Sequence, residues 1–256
     1  MWRWLQQSLT RGMDLDDPRT TEVRREVLRR KGFLRRVYRE WYGRLEAVIP
    51  SGTERVLEIG SGAGFLADSV PGLLTSDVTP FGWLELVSDG QHLPFADASL
   101  RAVLMINVLH HLPEVSLLLD EAARVVRVGG VVGMIEPWYT PWSRLVYTHL
   151  HHERFDPTAP TWASPAGGPL SGGNGALPWI VFARDRHRLE QRHPQWIVRV
   201  EPMMPFLYLL SGGVGTRTLV PEALFPLARR VERLLGGLAR RCAMFALVTL
   251  ERARRE

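Results

Sequence analysis

The residues best suited to bind a small charged ligand lie in one segment, RVLEIGSGAGFL, at positions 55–66. Its apolar residues predict a short β-strand, which would bring Glu58 to the carboxyl edge of a sheet. The loop that follows has glycine at alternate positions: Gly60, Gly62 and Gly64. Glycine tolerates positive φ and lets the backbone approach a ligand closely. Because open α/β folds bind nucleotides at this edge, the segment predicts a nucleotide-type site.

Two classes of cofactor compete for such a loop. A dinucleotide site prefers the spacing G-x-G-x-x-G, which leads a pyrophosphate onto a helix N-terminus. Here the glycines are spaced by one residue throughout, and the carboxylate of Glu58 would repel a pyrophosphate but attract an ammonium or sulfonium group. The alternative is a tight turn between strand and helix that binds no ligand, since a glycine motif alone is a weak signal.

Further acids follow the next two predicted strands. Asp77 ends the strand 73–77, seventeen residues after Gly60, where an acid can accept hydrogen bonds from both ribose hydroxyls. Asp89, which follows the strand 84–87, could accept from an adenine amino group, with the backbone of Gly90 and Gln91 alongside. Ordinary turns are the alternative at both places.

Polar residues also end the fourth and fifth predicted strands. Strand 102–106 is followed by Asn107-Val108-Leu109-His110-His111, and strand 131–135 by Glu136. Because the carboxyl ends of parallel strands share one edge, these side chains are expected near the same ligand.

Residues 137–178 are too long and too rich in Pro, Gly, Trp and His for a simple connector, which predicts a lid or pocket wall. The aromatic residues there, Trp138 and Tyr147 among them, favour an aromatic or extended apolar ligand, although they could equally pack the lid. A second group invites a metal interpretation: His149, His151, His152, Glu153 and Asp156. Clusters of this size more often line pockets, so no metal is predicted.

The remaining pattern alternates strands with helices, which predicts an α/β fold with a mostly parallel sheet. Helices are expected at 21–48, with a break at Gly32, at 116–126, ended by Gly129 and Gly130, and at 179–192 and 222–241. Further strands are expected at 197–201 and 244–250.

Composition limits the class of protein. The 256 residues, 45% of them apolar, suit one elaborated domain with a sizeable core. Cys242 is the only cysteine, so no intramolecular disulfide can form. No signal sequence or apolar run of spanning length is present, and a cytoplasmic protein is expected. Residues 49–136 are acidic in balance and both flanks are basic; the arginines of 21–48 are interpreted as a solvated helix face rather than a nucleic-acid surface.

As a set, five segments resemble class I S-adenosylmethionine-dependent methyltransferases of the type 11 group, and further segments beyond residue 137 are similar to a bacterial subgroup of these enzymes. The five segments are LEIGSGAGF, SDV, DGQHLPF, NVLHHLP and RVGGVVGMIEP, within residues 54–137. The resemblance implies a Rossmann-like sheet of seven strands, mostly parallel with the last strand antiparallel, helices on both faces and a lid insertion after strand 5. One departure is visible, because Asp89 follows Asp77 so closely that little room remains for the usual helix between strands 2 and 3.

The resemblance also implies residue roles. Glu58 would lie near the methionine amino group, Gly60, Ser61 and Gly62 against the cofactor tail, Asp77 on ribose, Asp89, Gly90 and Gln91 at adenine, and Asn107 near the methionine moiety. Candidate general bases are His111, Glu136 and His152, each with a structural alternative. Candidate acceptor-binding residues are Trp138, Tyr147, His151 and Asn174.

Four segments are expected: an N-terminal helical cap (1–48), a cofactor-binding core (49–136), an acceptor-binding lid (137–195) and a C-terminal part that completes the sheet and carries a helical insertion (196–256). The function expected is methylation, more often at oxygen than at nitrogen or carbon, of a small aromatic or apolar metabolite, with S-adenosyl-L-homocysteine as the by-product. Two alternatives stay open: a membrane-peripheral enzyme acting on a lipid or polyprenyl acceptor, and a non-catalytic nucleoside-binding scaffold. Neither the acceptor nor the oligomeric state follows from the sequence.

Overall fold

The computed structural model describes residues 12–150, 153–164 and 167–254. Their centre is a sheet of seven strands, in the spatial order β3-β2-β1-β4-β5-β7-β6. The strands are β1 (Arg55–Ile59), β2 (Leu73–Asp77), β3 (Leu86–Val87), β4 (Leu100–Ile106), β5 (Val126–Pro137), β6 (Trp196–Met203) and β7 (Phe245–Arg252).

The strand directions confirm the predicted fold class. Strands β1 to β5 pair in parallel, whereas β7 lies antiparallel between β5 and β6. The chain runs outward from β1 to β3, then crosses back to place β4 on the other side of β1. This reversal leaves a crevice at the carboxyl ends of β1 and β4, where open α/β sheets bind ligands.

Helices cover both faces of the sheet. They are α1 (Pro18–Arg30), α2 (Gly32–Val48), α3 (Val115–Val125), α4 (Pro141–Leu150), α5 (Leu177–Trp179), α6 (Arg186–Arg192), α7 (Leu207–Ser211), α8 (Phe225–Leu234) and α9 (Gly237–Arg241). Strand β4 shows why two layers are needed: Val103 and Met105 pack in the core with α3 and α5, while Ala102 and Leu104 pack in the core with α2 and α4. Such strands, buried on both faces, are typical of parallel sheets.

Four predicted helices differ in detail. The expected helix 21–48 is two helices that meet at Lys31, as the glycine at 32 suggested. The helix expected at 116–126 ends at Val125, and Gly129 and Gly130 do not terminate it because they lie inside β5. The expected helix 179–192 is interrupted by a π-helical turn at Ile180–Arg184, and 222–241 breaks at Gly236, whose φ is +50°.

The connections on the β2 side of the sheet are short. A single 3₁₀ turn, Leu66–Asp68, joins β1 to β2, and no helix joins β2 to β3. Trp83 covers this flank: its indole Nε1 donates to the carbonyl of Gly62 at 3.0 Å, and its ring stacks on Phe81. Arg25 of α1 lies over both Phe65 and Trp83, 3.9 Å and 4.7 Å from their ring centroids. The N-terminal helix therefore closes the side that the missing helices would otherwise leave open.

No helix within the described ranges combines the length and apolar character needed to cross a bilayer.

Candidate functional site

A cavity of about 780 Å³ opens at the carboxyl edge of β1, β2 and β4. All nine residues predicted to bind the cofactor line it: Glu58, Gly60, Ser61, Gly62, Asp77, Asp89, Gly90, Gln91 and Asn107. Its volume lies in the upper part of the range of about 300–1,000 Å³ typical of small-molecule sites. The sheet topology thus brings together residues spread over fifty positions of sequence.

The glycine loop is held in a conformation that other residues rarely adopt. Gly60 has φ +66°, and a Cβ at this position would lie 2.4 Å from Cγ2 of Val108; Gly62 has φ +41°. The loop is fixed to β2 because the amide of Ser61 donates to the carbonyl of Ser76 at 2.8 Å. A backbone surface without side chains therefore faces the cavity.

Asp77 joins the end of β2 to this loop. Its Oδ2 accepts from the amide of Gly62 at 3.0 Å and its Oδ1 from the amide of Thr79 at 3.0 Å. Burial raises the pKa of the carboxyl, and these amide hydrogen bonds counteract that rise. Each carboxylate oxygen has a second lone pair, so Asp77 can still accept from ligand hydroxyls.

Glu58 is an almost completely buried carboxyl at the end of β1. Burial raises its pKa to about 7, although a hydrogen bond with Ser61 and the charge of Arg25 act in the opposite direction. A buried carboxylate of this kind favours a cationic ligand group that would compensate its charge.

Asp89, Gly90 and Gln91 form the wall opposite the loop. Oδ1 of Asp89 accepts from the amide of Gln91 at 2.9 Å, and Oε1 of Gln91 accepts from the amide of Glu114 at 3.1 Å. Burial would raise the pKa of Asp89, but hydrogen bonds from Gln91 and His92 lower it overall. At Gly90 a Cβ would come 3.1 Å from Ile59, so the chain passes close under the sheet edge.

Asn107 follows β4 with φ +56°, and its Oδ1 is buried without a hydrogen-bond partner among the described residues. Together with Glu58 and Asp77 it gives this half of the cavity an excess of acceptors. An orphaned buried acceptor is costly unless a ligand supplies a donor. The site therefore fits a ligand rich in donors, with an amine, hydroxyls and a ring amino group, and does not fit a pyrophosphate.

The other end of the cavity contains a histidine pair. His110 is buried, and its Nδ1 lies 2.6 Å from Oε2 of Glu136, whose Oε1 accepts from the amides of Val108 and Leu109 at 2.8 Å each. Burial lowers the pKa of His110, but the charges of Glu136 and Glu153 outweigh it and raise that pKa to about 9. His111 lines the cavity; burial and the neighbouring charge of His110 lower its pKa to about 3.

The other predicted catalytic and acceptor-binding residues differ in whether they line the cavity. Tyr147 lines the cavity, where its hydroxyl donates to the carbonyl of Met244 at 2.8 Å. Glu136 and Trp138 are buried and do not line it. Nor does Asn174, whose side chain is bonded to the backbone of Asp156 and Ala176. His151 and His152 lie outside the described residues.

Several residues around the cavity were not among the predicted site residues. Arg25 of α1, which does not line the cavity, donates to the carbonyl of Gly64 and so fixes the end of the glycine loop. Tyr42 of α2 lines the cavity and accepts from the amide of Phe65 at 2.8 Å. Glu153, Tyr208 and Phe245 also line it. Two of these residues carried a signal in the sequence: Tyr42 belongs to the aromatic end of the predicted helix 21–48, and Glu153 is the acid after the histidines.

Comparison with known proteins agrees with this geometry. Residues 75–134 match the family model described as a methyltransferase domain, Methyltransf_11. No curated protein matches the chain in sequence.

Solved structures share the fold at low sequence identity. Geranyl diphosphate C-methyltransferase from Streptomyces coelicolor A3(2), solved with Mg²⁺, geranyl diphosphate and S-adenosyl-L-homocysteine, is 14% identical with a TM-score of 0.54, covering 98% of this chain and 91% of that one. A geranyl diphosphate methyltransferase in complex with SAM is 14% identical with a TM-score of 0.53, and the match covers 97% of this chain and 96% of that one. A possible histamine N-methyltransferase from Thermotoga maritima is 13% identical with a TM-score of 0.51, and the match covers 84% of this chain and 89% of that one.

These structural likenesses show the fold, and the family model extends from within β2 to within β5 and includes Asp77, Asp89 and Asn107. The cavity lies at the carboxyl edge of the sheet, where open α/β folds bind ligands, and its acceptors favour a ligand rich in hydrogen-bond donors. Residues 75–134 thus match a methyltransferase domain, and the chain has the fold of S-adenosylmethionine-dependent methyltransferases.

Proposed function

We propose that this enzyme methylates an oxygen atom of a small aromatic or apolar metabolite. The observation that carries the proposal is the continuity of one cavity, in which the residues for the methyl donor occupy one end and an aromatic wall with two polar side chains occupies the other. Bound S-adenosylmethionine would supply a methyl group already activated by its sulfonium, so much of the remaining work is the positioning of the acceptor.

The residue roles at the cofactor end follow from its hydrogen-bond acceptors, which favour a ligand rich in donors. Glu58 would bind the ammonium of the methionine moiety, Asp77 the ribose hydroxyls, and Asp89 with Gln91 the adenine edge. Asn107, with its orphaned Oδ1, would accept from the methionine moiety. Trp83 and Arg25 would hold the glycine loop in place from outside the cavity.

The acceptor end is mostly apolar. Tyr147 stacks on Phe155 with ring centroids 4.7 Å apart, and Tyr208 packs edge-on against Phe245 at 4.8 Å. Because the hydroxyl of Tyr147 is bonded to a backbone carbonyl, this residue contributes its ring to the wall. Such rings favour a flat or extended apolar acceptor.

His111 and Glu153 line the cavity together with these rings, and they favour an acceptor hydroxyl. The low pKa of His111 keeps its imidazole uncharged at neutral pH, so it can accept a hydrogen bond from the hydroxyl that is methylated. Methyl transfer forms the oxygen–carbon bond and breaks the carbon–sulfur bond, while His111 orients the hydroxyl through its hydrogen bond and the hydroxyl proton passes to solvent water. Glu136 acts through His110 and is a positioning residue.

The test is transfer of a ¹³C-labelled methyl group from S-adenosylmethionine to a panel of phenols, aliphatic alcohols and amines. A methyl ether among the products, identified by its carbon chemical shift, supports the proposal, whereas products methylated only at nitrogen or carbon contradict it. His111→Gln should lower kcat by at least about tenfold without changing the affinity for S-adenosyl-L-homocysteine. His149→Gln, outside the cavity, is the matched control.

A second candidate, methylation of a lipid acceptor at a membrane surface, is favoured by the exterior of α8 and α9. Five apolar residues spaced by three or four positions are 43–77% exposed there: Leu224, Leu227, Val231, Leu234 and Leu238. The exposed arginines 230, 233, 240 and 241 flank this row. An amphipathic helix with a basic margin is typical of proteins that bind anionic bilayers.

The exposed apolar row on α8 and α9 is connected to the cavity through helix α7. Glu232, on the buried side of α8, accepts from the amides of Phe206 and Leu207 at 3.0 Å and 2.8 Å, which fixes α8 to α7. Tyr208 and Leu209 of α7 line the cavity. Sedimentation with phosphatidylglycerol vesicles at low salt tests this candidate: Leu234→Ser should reduce binding, while Leu117→Ser on α3 should not. Absence of binding by the wild-type chain removes this candidate.

A further inference from the structure

We propose that His110, His111 and Glu153 form a binding site for a divalent transition-metal ion at the acceptor end of the cavity. One ligand atom from each of the three side chains lies within 4.8 Å of the other two, and all three residues line the cavity. No metal was predicted from the sequence, so this site is a departure from that expectation.

His110 is oriented as a metal ligand would be, and a bound ion would replace the proton that Glu136 and Glu153 favour on Nε2 in the metal-free protein. One ring nitrogen, Nδ1, faces Oε2 of Glu136 at 2.6 Å, and the other, Nε2, lies 3.5 Å from Oε2 of Glu153. Histidine ligands generally use one nitrogen for the metal while the other donates to a carboxylate, which fixes the tautomer and the ring orientation. Because Glu136 is itself fixed by two backbone amides, the Nε2 position is well defined.

His111 is held by a loop within the predicted lid. Its Nδ1 lies 3.4 Å from the carbonyl of Gly172, and a Cβ on Gly173 would come 2.8 Å from the same nitrogen. The ring of His111 therefore packs directly on the backbone of Gly173. A side chain at position 173 would displace this ring. With Nδ1 turned toward this loop, Nε2 is the nitrogen available to a metal.

The chemistry of the three groups selects the class of metal. Two imidazoles with one carboxylate suit Zn²⁺, Co²⁺, Fe²⁺ or Mn²⁺ better than Mg²⁺ or Ca²⁺, which prefer oxygen ligands. With bonds of about 2.0–2.2 Å and tetrahedral angles, two ligand atoms on one ion lie about 3.3–3.6 Å apart. The 3.5 Å between Nε2 of His110 and Oε2 of Glu153 already matches this spacing. The ligand atom of His111 lies within 4.8 Å of the other two, so it would have to approach by at most about 1.5 Å for all three groups to hold one ion.

Three protein ligands leave coordination positions open toward the cavity. With an ion bound, His111 would ligate the ion in place of the acceptor hydroxyl, and the ion would bind that hydroxyl, orient it and lower its pKa before methyl transfer. This catalytic role rests on the proposed function, whereas metal binding itself does not.

The site differs from the histidine cluster that the sequence suggested. His149 is exposed, and its Nδ1 lies 2.9 Å from the carbonyl of Leu145 in its own helix. The carboxylate of Asp156 is bonded to Arg154 and Thr158. Neither residue lines the cavity, and His110, which the sequence interpretation left out of the metal cluster, takes their place.

Titration of the chelator-treated full chain with Co²⁺, followed by visible absorption and then by competition with Zn²⁺, tests the site. The wild-type chain should bind one equivalent and develop d–d bands. His111→Ala and Glu153→Gln should each weaken Co²⁺ binding by at least about tenfold, and His149→Ala should leave affinity and spectrum unchanged.

Calorimetry with S-adenosyl-L-homocysteine on the same samples reports whether each variant is folded and separates the two proposals. A wild-type chain that binds S-adenosyl-L-homocysteine but no Co²⁺ overturns the metal site and leaves the methyltransferase function standing. Equal Co²⁺ affinity in the wild type and in folded His111→Ala also overturns it. Stoichiometric Co²⁺ binding that depends on His111 and Glu153 supports the site even if the panel yields no methyl ether.

Discussion

Oδ2 of Asp77 accepts a hydrogen bond from the amide of Gly62 at 3.0 Å, so the acid proposed to bind ribose and the glycine loop form one structural unit. The carboxylate is partly buried at the end of β2, and its other oxygen is bonded to the amide of Thr79. A single side chain thus both shapes the loop and offers acceptors to the ligand.

Asp77→Ala should therefore weaken S-adenosyl-L-homocysteine binding by about 1–3 kcal/mol, or roughly five- to 150-fold, because the ribose hydroxyls lose their acceptor and the loop loses its anchor. Isothermal titration calorimetry measures the change. Asp97→Ala, which removes an exposed carboxylate bonded to Arg124 outside the cavity, is the control and should not change the affinity. An unchanged affinity in Asp77→Ala would refute the ribose assignment.

Glu58 makes ligand binding pH-dependent. Burial raises the pKa of its carboxyl to about 7 in the unliganded protein, and a bound ammonium would favour the ionised form. The affinity for S-adenosyl-L-homocysteine should be greatest at mildly alkaline pH, where Glu58 is ionised and the ligand amine is still protonated, and should fall by up to about tenfold per unit as pH decreases below 7. Glu58→Gln should bind more weakly at alkaline pH and lack this dependence on pH.

The same pKa has a consequence for stability. A carboxyl whose pKa is raised by folding stabilises the fold only while it is protonated, so the unliganded wild type should lose stability relative to Glu58→Gln as pH rises from about 5 to 8. Chemical denaturation of both chains across this range measures the difference. A wild type that becomes more stable than the variant over this interval would contradict the assigned burial of Glu58.

Gly60 should not tolerate a side chain. A Cβ would meet Val108 at 2.4 Å while the backbone stays at φ +66°, so Gly60→Ala should lower both the melting temperature and the affinity for S-adenosyl-L-homocysteine. Gly82→Ala, where a Cβ would meet nothing within 4 Å, is the matched control. Adding Val108→Ala should recover part of the loss by relieving the clash; no recovery would mean that the backbone strain dominates.

Arg25 should matter for the cofactor although it belongs to the N-terminal helix. It donates to the carbonyl of Gly64 and lies over Phe65 and Trp83, so Arg25→Ala should loosen the glycine loop and weaken ligand binding by about three- to tenfold, equivalent to one hydrogen bond or cation–π contact. Arg30→Ala on the same helix, which removes an exposed pair with Glu26, should have no effect. Equal effects of the two variants would argue against this role.

The sequence predicted the parallel core well because each of its strands is a short, mostly apolar run that ends at or just before a polar residue. Strand ends at Ile59, Asp77, Val87 and Ile106 lie where the pattern placed them. The start of β5 was predicted at 131 and lies at Val126, because Gly129 and Gly130 were interpreted as a helix stop signal, although they lie inside β5 where its register with β4 shifts.

The acceptor end was harder to predict because its residues are brought together by tertiary packing alone. Glu136 ends β5 as expected, but its carboxylate turns inward to His110 and two amides, and no local pattern specifies that direction. Asn174 is engaged in backbone hydrogen bonds that hold the lid, and Arg25 reaches the loop from a helix thirty-nine positions away from Gly64.

Calorimetry of the wild-type chain with S-adenosyl-L-homocysteine, beside a parallel titration with NAD⁺, tests the central claim most directly. The account predicts saturable binding of one S-adenosyl-L-homocysteine per chain, competition by S-adenosylmethionine, and no binding of the dinucleotide, whose pyrophosphate Glu58 would repel. Binding of NAD⁺ in preference to S-adenosyl-L-homocysteine, or no binding of either by the folded chain, would contradict it.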